Sequence, residues 1–135
     1  MNRRDFLLAS AVVTLAMPIA ARAASDYSPE LLAAELAAGK TVFLDFKASW
    51  CSTCAAQERV ITALRAENPA YDQAISFINV DWDQWGDGDL VQSLNIPRRS
   101  TLVVLKGDQE LGRIVAGTAE DEIKALLDLA LAAAA

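Results

Sequence analysis

Residues 42–54 read Val-Phe-Leu-Asp-Phe-Lys-Ala-Ser-Trp-Cys-Ser-Thr-Cys. The run from Thr41 to Phe46 is β-branched and aromatic, the pattern of a buried strand, with one charged intruder at Asp45. A loop from Lys47 to Trp50 follows. Cys51-Ser52-Thr53-Cys54 then opens a helix predicted to run to about Asn68, where Pro69 ends it. Strand, turn and helix are the setting in which two cysteines separated by two residues read as a redox pair. Free N–H groups and the positive end of the helix dipole favour a thiolate on Cys51 and raise its reactive fraction. Cys54 lies one turn later, inside the helix, placed to attack a mixed disulfide formed at Cys51. The expectation is an exposed thiol that starts the chemistry and a buried one that finishes it.

Other readings of the pair stay open. A structural disulfide closing a ring of four residues constrains the unfolded chain by only about 2 kcal/mol, against about 4.7 for a hundred-residue loop. A metal or iron–sulfur site would lack two of its four ligands unless carboxylates or a second subunit supply them. Two inert core cysteines fit an oxidising compartment least well. Asp45 carries its own signal, because burying a carboxylate costs stability and raises its pKa toward the range of a useful base for a thiol. The alternative is an ion pair with Lys47, which shares its face at period two.

The chain has 135 residues, 53% hydrophobic and 22% charged, a net charge of −6, two cysteines and no histidine. That length allows one ordinary domain. The missing histidine excludes Ser-His-Asp hydrolases, Cys-His proteases, histidine-ligated zinc and C-x-x-C-H haem attachment together. The acidic balance argues against nucleic acid, which rewards clustered lysine and arginine.

Residues 1–23 have the three parts of a cleavable export signal: a charged start, an apolar run from Phe6 to Ala20 and an Ala21-Arg22-Ala23 end. The run falls short of the roughly 18–20 residues of a membrane-spanning helix, so the mature form is expected to have no span. Arg3-Arg4 followed by Phe6-Leu7 resembles the twin-arginine export motif, with general secretion as the alternative. Removal leaves a domain of residues 24–135 with net charge −8 and no methionine, which weakens a copper-carrier reading.

Outward from the cysteines, Ser28-Pro29-Glu30 predicts a helix start and Gly39 its stop. Val60, Ile61 and Leu64 give the cysteine helix an inward stripe. Ile75–Val80 is the next strand, and Asp87 or Asp89 is expected to cap a short helix over residues 90–94. Thr101–Leu105, a turn at 106–108 and Leu111–Val115 predict a hairpin. A last helix buries Ile123, Leu126, Leu127, Ala130 and Leu131, with Ala132–Ala135 fraying. The order implies an α/β fold: a mixed central sheet of about four strands flanked by helices on both faces. Residues 81–89, Asp-Trp-Asp-Gln-Trp-Gly-Asp-Gly-Asp, lack the closing glutamate of a calcium loop and read as a solvated turn with Trp82 and Trp85 packed on the domain.

Residues 41–117 resemble the thioredoxin family in Val42–Cys54, Phe77-Ile-Asn-Val-Asp81, Thr101-Leu-Val-Val-Leu105 and Gly117. The resemblance implies a thioredoxin fold, a nucleophile at Cys51, a resolving thiol at Cys54, and a buried acid at Asp45 that takes the Cys54 proton. Trp50, Arg99 and Ser100 are expected to bind substrate. No cofactor is implied. Periplasmic members are the most similar in character, so the expected activity is periplasmic reduction or exchange of protein disulfides. A membrane thiol transporter would then supply electrons, since the periplasm is kept oxidising. The dipeptide Ser52-Thr53 brings no histidine to stabilise the thiolate strongly, which favours the reductive direction. The alternative function is binding of a metal or iron–sulfur centre by the same thiols.

One departure stands out. The family's cis-proline before the Thr-Leu strand is replaced by Ser100, and a trans bond is expected there because a cis bond before serine costs ~2.5–4 kcal/mol. Loss of the ring predicts a gap beside the thiols. Arg98 and Arg99 are expected near Cys51, where they would favour its thiolate; the alternative is two solvated loop arginines.

Overall fold

The computed structural model describes residues 23–135. The export signal read at residues 1–23 therefore lies, except for Ala23, outside the described residues. The elements are β1 (Ser25–Asp26), α1 (Pro29–Ala37), β2 (Thr41–Lys47), α2 (Ser52–Glu67), α3 (Ala70–Ala74), β3 (Ile75–Asp81), α4 (Trp82–Trp85), α5 (Asp89–Ser93), β4 (Thr101–Lys106), β5 (Gln109–Val115) and α6 (Glu120–Ala134).

The strands form one mixed sheet in the order β1-β3-β2-β4-β5. The first three are mutually parallel, while β2–β4 and β4–β5 are antiparallel. Central β2 pairs along its length with β3, from Thr41 opposite Ile75 to Lys47 opposite Asp81. Alternation along β2 feeds two cores. Phe43 faces Ile61 and Leu64 of α2, Tyr71 of α3 and Ile123, Leu126 and Leu127 of α6. Val42, Leu44 and Phe46 face the opposite core with Leu32 of α1 and Val91 of α5. By the same alternation Asp45 shares the Phe43 face, toward α2.

The local signals explain most boundaries. Ser28 Oγ accepts from Leu31 N–H at 3.1 Å at the start of α1, and Gly39 takes φ +77° beyond its end. Gly107, at φ +60°, turns the two-residue β4–β5 loop.

Several expectations change in detail. The sheet has five strands rather than about four, because the two-residue β1 joins its edge; two residues are too few to show a period. The short helices α3 and α4 fall below the length at which periodicity is visible. Helix α5 starts after Gly88 with no side-chain cap, so neither Asp87 nor Asp89 caps it, and Asp89 sits in its first turn. The tail does not fray at Ala132: alanine has the best helix propensity, and Lys106 Nζ donates to the Ala133 carbonyl. Leu127 is fully enclosed between α6 and the sheet. Leu127→Ala should cost 2–5 kcal/mol in urea unfolding with an unchanged m-value.

Candidate functional site

The end of β2 delivers the chain to Ala48, whose carbonyl accepts from Cys51 N–H at 3.2 Å. Cys51 is the N-cap of α2, and its sulfur accepts from Cys54 N–H at 3.1 Å. The thiol thus occupies the place usually filled by a serine or aspartate oxygen, where it meets the unpaired N–H groups of the first turn. Both cysteines are present as free thiols. Cys51 is less exposed than expected, at 4% against 2% for Cys54, because Ala48 and Trp82 pack around the pair. Both sulfur-bearing residues instead line a surface groove of about 520 Å³, together with Lys47, Ser49, Glu58 and Trp85.

Ser100 closes the other side. Its Oγ stands 3.1 Å from both Cys51 Sγ and Cys54 Sγ, filling the space where a gap was expected. No peptide bond among the described residues is cis, and Ser100 takes φ +63°. Proline could not replace it in this loop: proline fixes φ near −65°, and the Ser100 N–H donates to Phe46 O at 2.7 Å. The Ser100 carbonyl accepts from Ala116 N–H at 2.8 Å and from Gln57 Nε2 at 2.9 Å. A left-handed serine costs on the order of 1 kcal/mol and persists because these bonds over-determine it.

Asp45 is 6% exposed and its Oδ1 has no hydrogen-bond partner. The alternative pairing with Lys47 is not formed, since Lys47 Nζ lies 2.9 Å from Glu58 Oε2. Burial pushes the Asp45 carboxyl up to about 7, with the Lys47 ammonium opposing and the Glu58 carboxylate adding to the rise. Asp45 lines a second cavity, of about 320 Å³, and Lys47 and Glu58 line both this cavity and the groove at the thiols.

The rim is built from the exposed Trp50 and the half-buried Arg99. Trp50 is 59% exposed, its Nε1 donates to the Asp83 carboxylate at 3.0 and 3.1 Å, and the Arg99 guanidinium lies 4.6 Å over its ring. Arg98 instead donates through Nε to the Arg99 carbonyl at 3.1 Å. Two of the four acids of residues 81–89 are in use, Asp81 capping α4 and Asp83 holding Trp50.

The two thiols are driven apart. Burial pushes Cys51 up, but hydrogen bonds from the Cys54 thiol, the Ser100 hydroxyl, the Cys54 N–H and the Arg99 side chain outweigh it and hold the thiol down to about 7. Burial pushes Cys54 up, and its bond to Cys51 adds to the rise. One sulfur is ready as a thiolate near neutrality while its neighbour keeps its proton. As for metals, no three His, Cys, Asp or Glu side chains among the described residues stand together as a ligand set.

The sequence profile of the thioredoxin family matches residues 23–129. The chain belongs to the thioredoxin family. It is 30% identical over 109 residues to a thioredoxin H-type of Brassica oleracea, covering 81% of this chain and 82% of that one. It is 35% identical over 85 residues to a thioredoxin H-type of Fagopyrum esculentum, covering 63% and 67%. Among solved structures it resembles Trxlp from Edwardsiella tarda, at TM-score 0.65 and 29% identity over 78% of this chain and 96% of that one. The thioredoxin of Malassezia sympodialis shares the fold at TM-score 0.67 and 24% identity, covering 80% and 93%. This thioredoxin-family protein is accordingly a thiol–disulfide oxidoreductase.

Sequence reasoning missed one residue of the thioredoxin site. Gln57 is fully buried, and its Nε2 donates to both Ser100 O and Gly117 O at 2.9 Å, tying α2 to the loop that holds the serine. The signal was available: the buried stripe of α2 runs Cys54, Gln57, Ile61 and Leu64, and an amide on an apolar stripe needs partners. Val60, expected on that stripe, is only partly buried.

Two measurements check the electrostatics. Alkylation of the reduced protein by iodoacetamide should titrate with a midpoint near pH 7 and modify Cys51, leaving Cys54 unmodified at neutral pH, as read by peptide mass spectrometry. For Asp45 the folded state holds a proton that the unfolded chain releases at its ordinary pKa of 3.8, so stability falls as pH rises from there through about 7. Asp45→Asn should remove this penalty and gain on the order of 3 kcal/mol on the wild type between pH 4 and 8 in denaturant titrations.

Proposed function

We propose that this protein is an exported, periplasmic oxidoreductase that reduces or exchanges disulfides of other proteins through the Cys51-Ser52-Thr53-Cys54 centre. The observation that carries the reading is the Cys51 sulfur seated as N-cap of α2, accepting from Cys54 N–H beside a neighbour that keeps its proton. In the reductive direction the Cys51 thiolate attacks one sulfur of the substrate disulfide, and the other leaves as a thiolate. Cys54 then gives up its proton and attacks Cys51 Sγ, releasing the second substrate sulfur and leaving a Cys51–Cys54 disulfide. Asp45 is the base for that proton, and its raised pKa near 7 suits it to take and return one at neutral pH. The exposed Trp50 and the half-buried Arg99 over its ring form the surface beside the nucleophile on which substrate rests, while Ser100 acts from within.

The export reading rests on the Arg3-Arg4-x-Phe6-Leu7 pattern and the Ala21-Arg22-Ala23 end, with residues 24–135 as the mature domain. No helix among the described residues is long and apolar enough to cross a membrane. Reducing equivalents would come from a membrane thiol transporter, as an oxidising compartment supplies none.

The purified domain should catalyse reduction of insulin by dithiothreitol. Cys51→Ser should abolish this, and Cys54→Ser should accumulate a mixed disulfide with substrate on non-reducing gels. Failure of Cys54→Ser to trap substrate while the wild type is active would overturn the assignment of the two roles. Replacing Arg3 and Arg4 together with lysine should leave the precursor in the cytoplasmic fraction; an unchanged periplasmic yield would point to general secretion.

A further inference from the structure

Among the described residues, Ser100 is the side chain from outside the cysteine motif that stands within hydrogen-bond distance of both sulfurs, at 3.1 Å from each. A hydroxyl has a single hydrogen, so it can donate to one sulfur at a time. Its position leaves no freedom except that choice. The backbone is pinned by Phe46 O, Ala116 N–H and Gln57 Nε2, the side chain is fully buried, and the residue is held at φ +63°. Rotation of the O–H about the Cβ–Oγ bond moves the hydrogen between the sulfurs without moving a heavy atom.

We propose that Ser100 is a catalytic residue whose single hydrogen follows the negative charge from Cys51 to Cys54 during the relay. In the resting dithiol the hydroxyl donates to the Cys51 thiolate, reinforcing the bonds from Cys54 N–H and Arg99. Once Cys51 is tied up in a mixed disulfide it carries no charge, and the hydroxyl turns to Cys54. The Cys54 proton leaves to the base assigned above, Asp45, and the Ser100 O–H stabilises the thiolate left behind. That thiolate forms the Cys51–Cys54 bond as the Cys51–substrate bond breaks, with the electron pair departing on the substrate sulfur. Ser100 keeps its own hydrogen throughout. In a site without histidine, one donor thus serves both nucleophiles in turn, at the position where the family carries a proline that has no donor at all. The inference rests on the relay reading above.

The test compares Ser100→Ala with Ser100→Gly. Both delete the donor, while alanine retains the strained φ and glycine relieves it, so a shift common to both belongs to the hydroxyl. Thiolate absorbance near 240 nm is titrated in each variant and in a Cys51→Ala background, where Cys54 is the only thiol. Loss of the donor should raise the Cys51 pKa by about one unit, slowing iodoacetamide alkylation at pH 7 about fivefold. It should also raise the Cys54 pKa by about one unit in the Cys51→Ala background, and slow release of substrate from a preformed mixed disulfide. A shift at Cys51 without one at Cys54 overturns the transfer of the donor. If the wild type reduces insulin and neither titration moves, the inference fails and the relay reading stands. If the titrations move but the wild type reduces no disulfide, the relay reading fails and takes the inference with it.

Discussion

Everything in this molecule is arranged around β2, a strand hydrogen-bonded on both edges and covered on both faces. Its pairing with β3 and β4 leaves no free edge, and its alternating side chains enter two separate apolar cores. A strand in that position cannot slide without moving apolar side chains to the wrong face. Its end is therefore a fixed point, and the loop that leaves it places Cys51 at the start of α2 with little freedom. The same constraint traps Asp45: the strand's register puts a carboxylate under α2 with no hydrogen-bond partner for Oδ1, and the fold bears a stability penalty at neutral pH to keep it there.

The chemistry follows from how the site replaces what the composition lacks. Without an imidazolium to hold a thiolate, the charge on Cys51 is met by neutral donors and one arginine: a helix-terminal N–H, a serine hydroxyl, a neighbouring thiol and Arg99. Burial of the thiol works against these donors, which leaves it near 7 rather than several units lower. A moderately stabilised thiolate is both present and nucleophilic at neutral pH, a balance suited to exchange rather than to forceful oxidation.

Much of this was legible along the chain. The β-branched run of 41–46, the capping signal at Ser28-Pro29 and the apolar period of 123–130 each report a local preference that the packing reinforces, so strand, helix and core face emerge as expected. What escaped was short or non-local. The two residues of β1 have no period to read, and α3 and α4 are stabilised by docking rather than by their own pattern. Arg98 and Arg99 are adjacent and chemically alike, yet Arg99 reaches Trp50 and Cys51 while Arg98 bonds to the Arg99 carbonyl. Lys47 could pair with Asp45 along the strand, and takes Glu58 of α2 instead; only the packing of helix on sheet offers that choice.

By itself, then, the sequence determined the strand–turn–helix that presents two thiols separated by two residues, and the burial of an acid among apolar neighbours, since these depend on residues within one or two elements. The tertiary structure decided the partners. It brought Ser100, 49 and 46 residues away in sequence, to 3.1 Å from both sulfurs, and it fixed that serine in a left-handed conformation through β2, Gln57 and Ala116. A hydrogen bond is made or lost within a few tenths of an ångström, and separation along the chain carries no such precision. Only the closing of the β4 loop against the end of β2 and the start of α2 sets the distances on which the thiols depend.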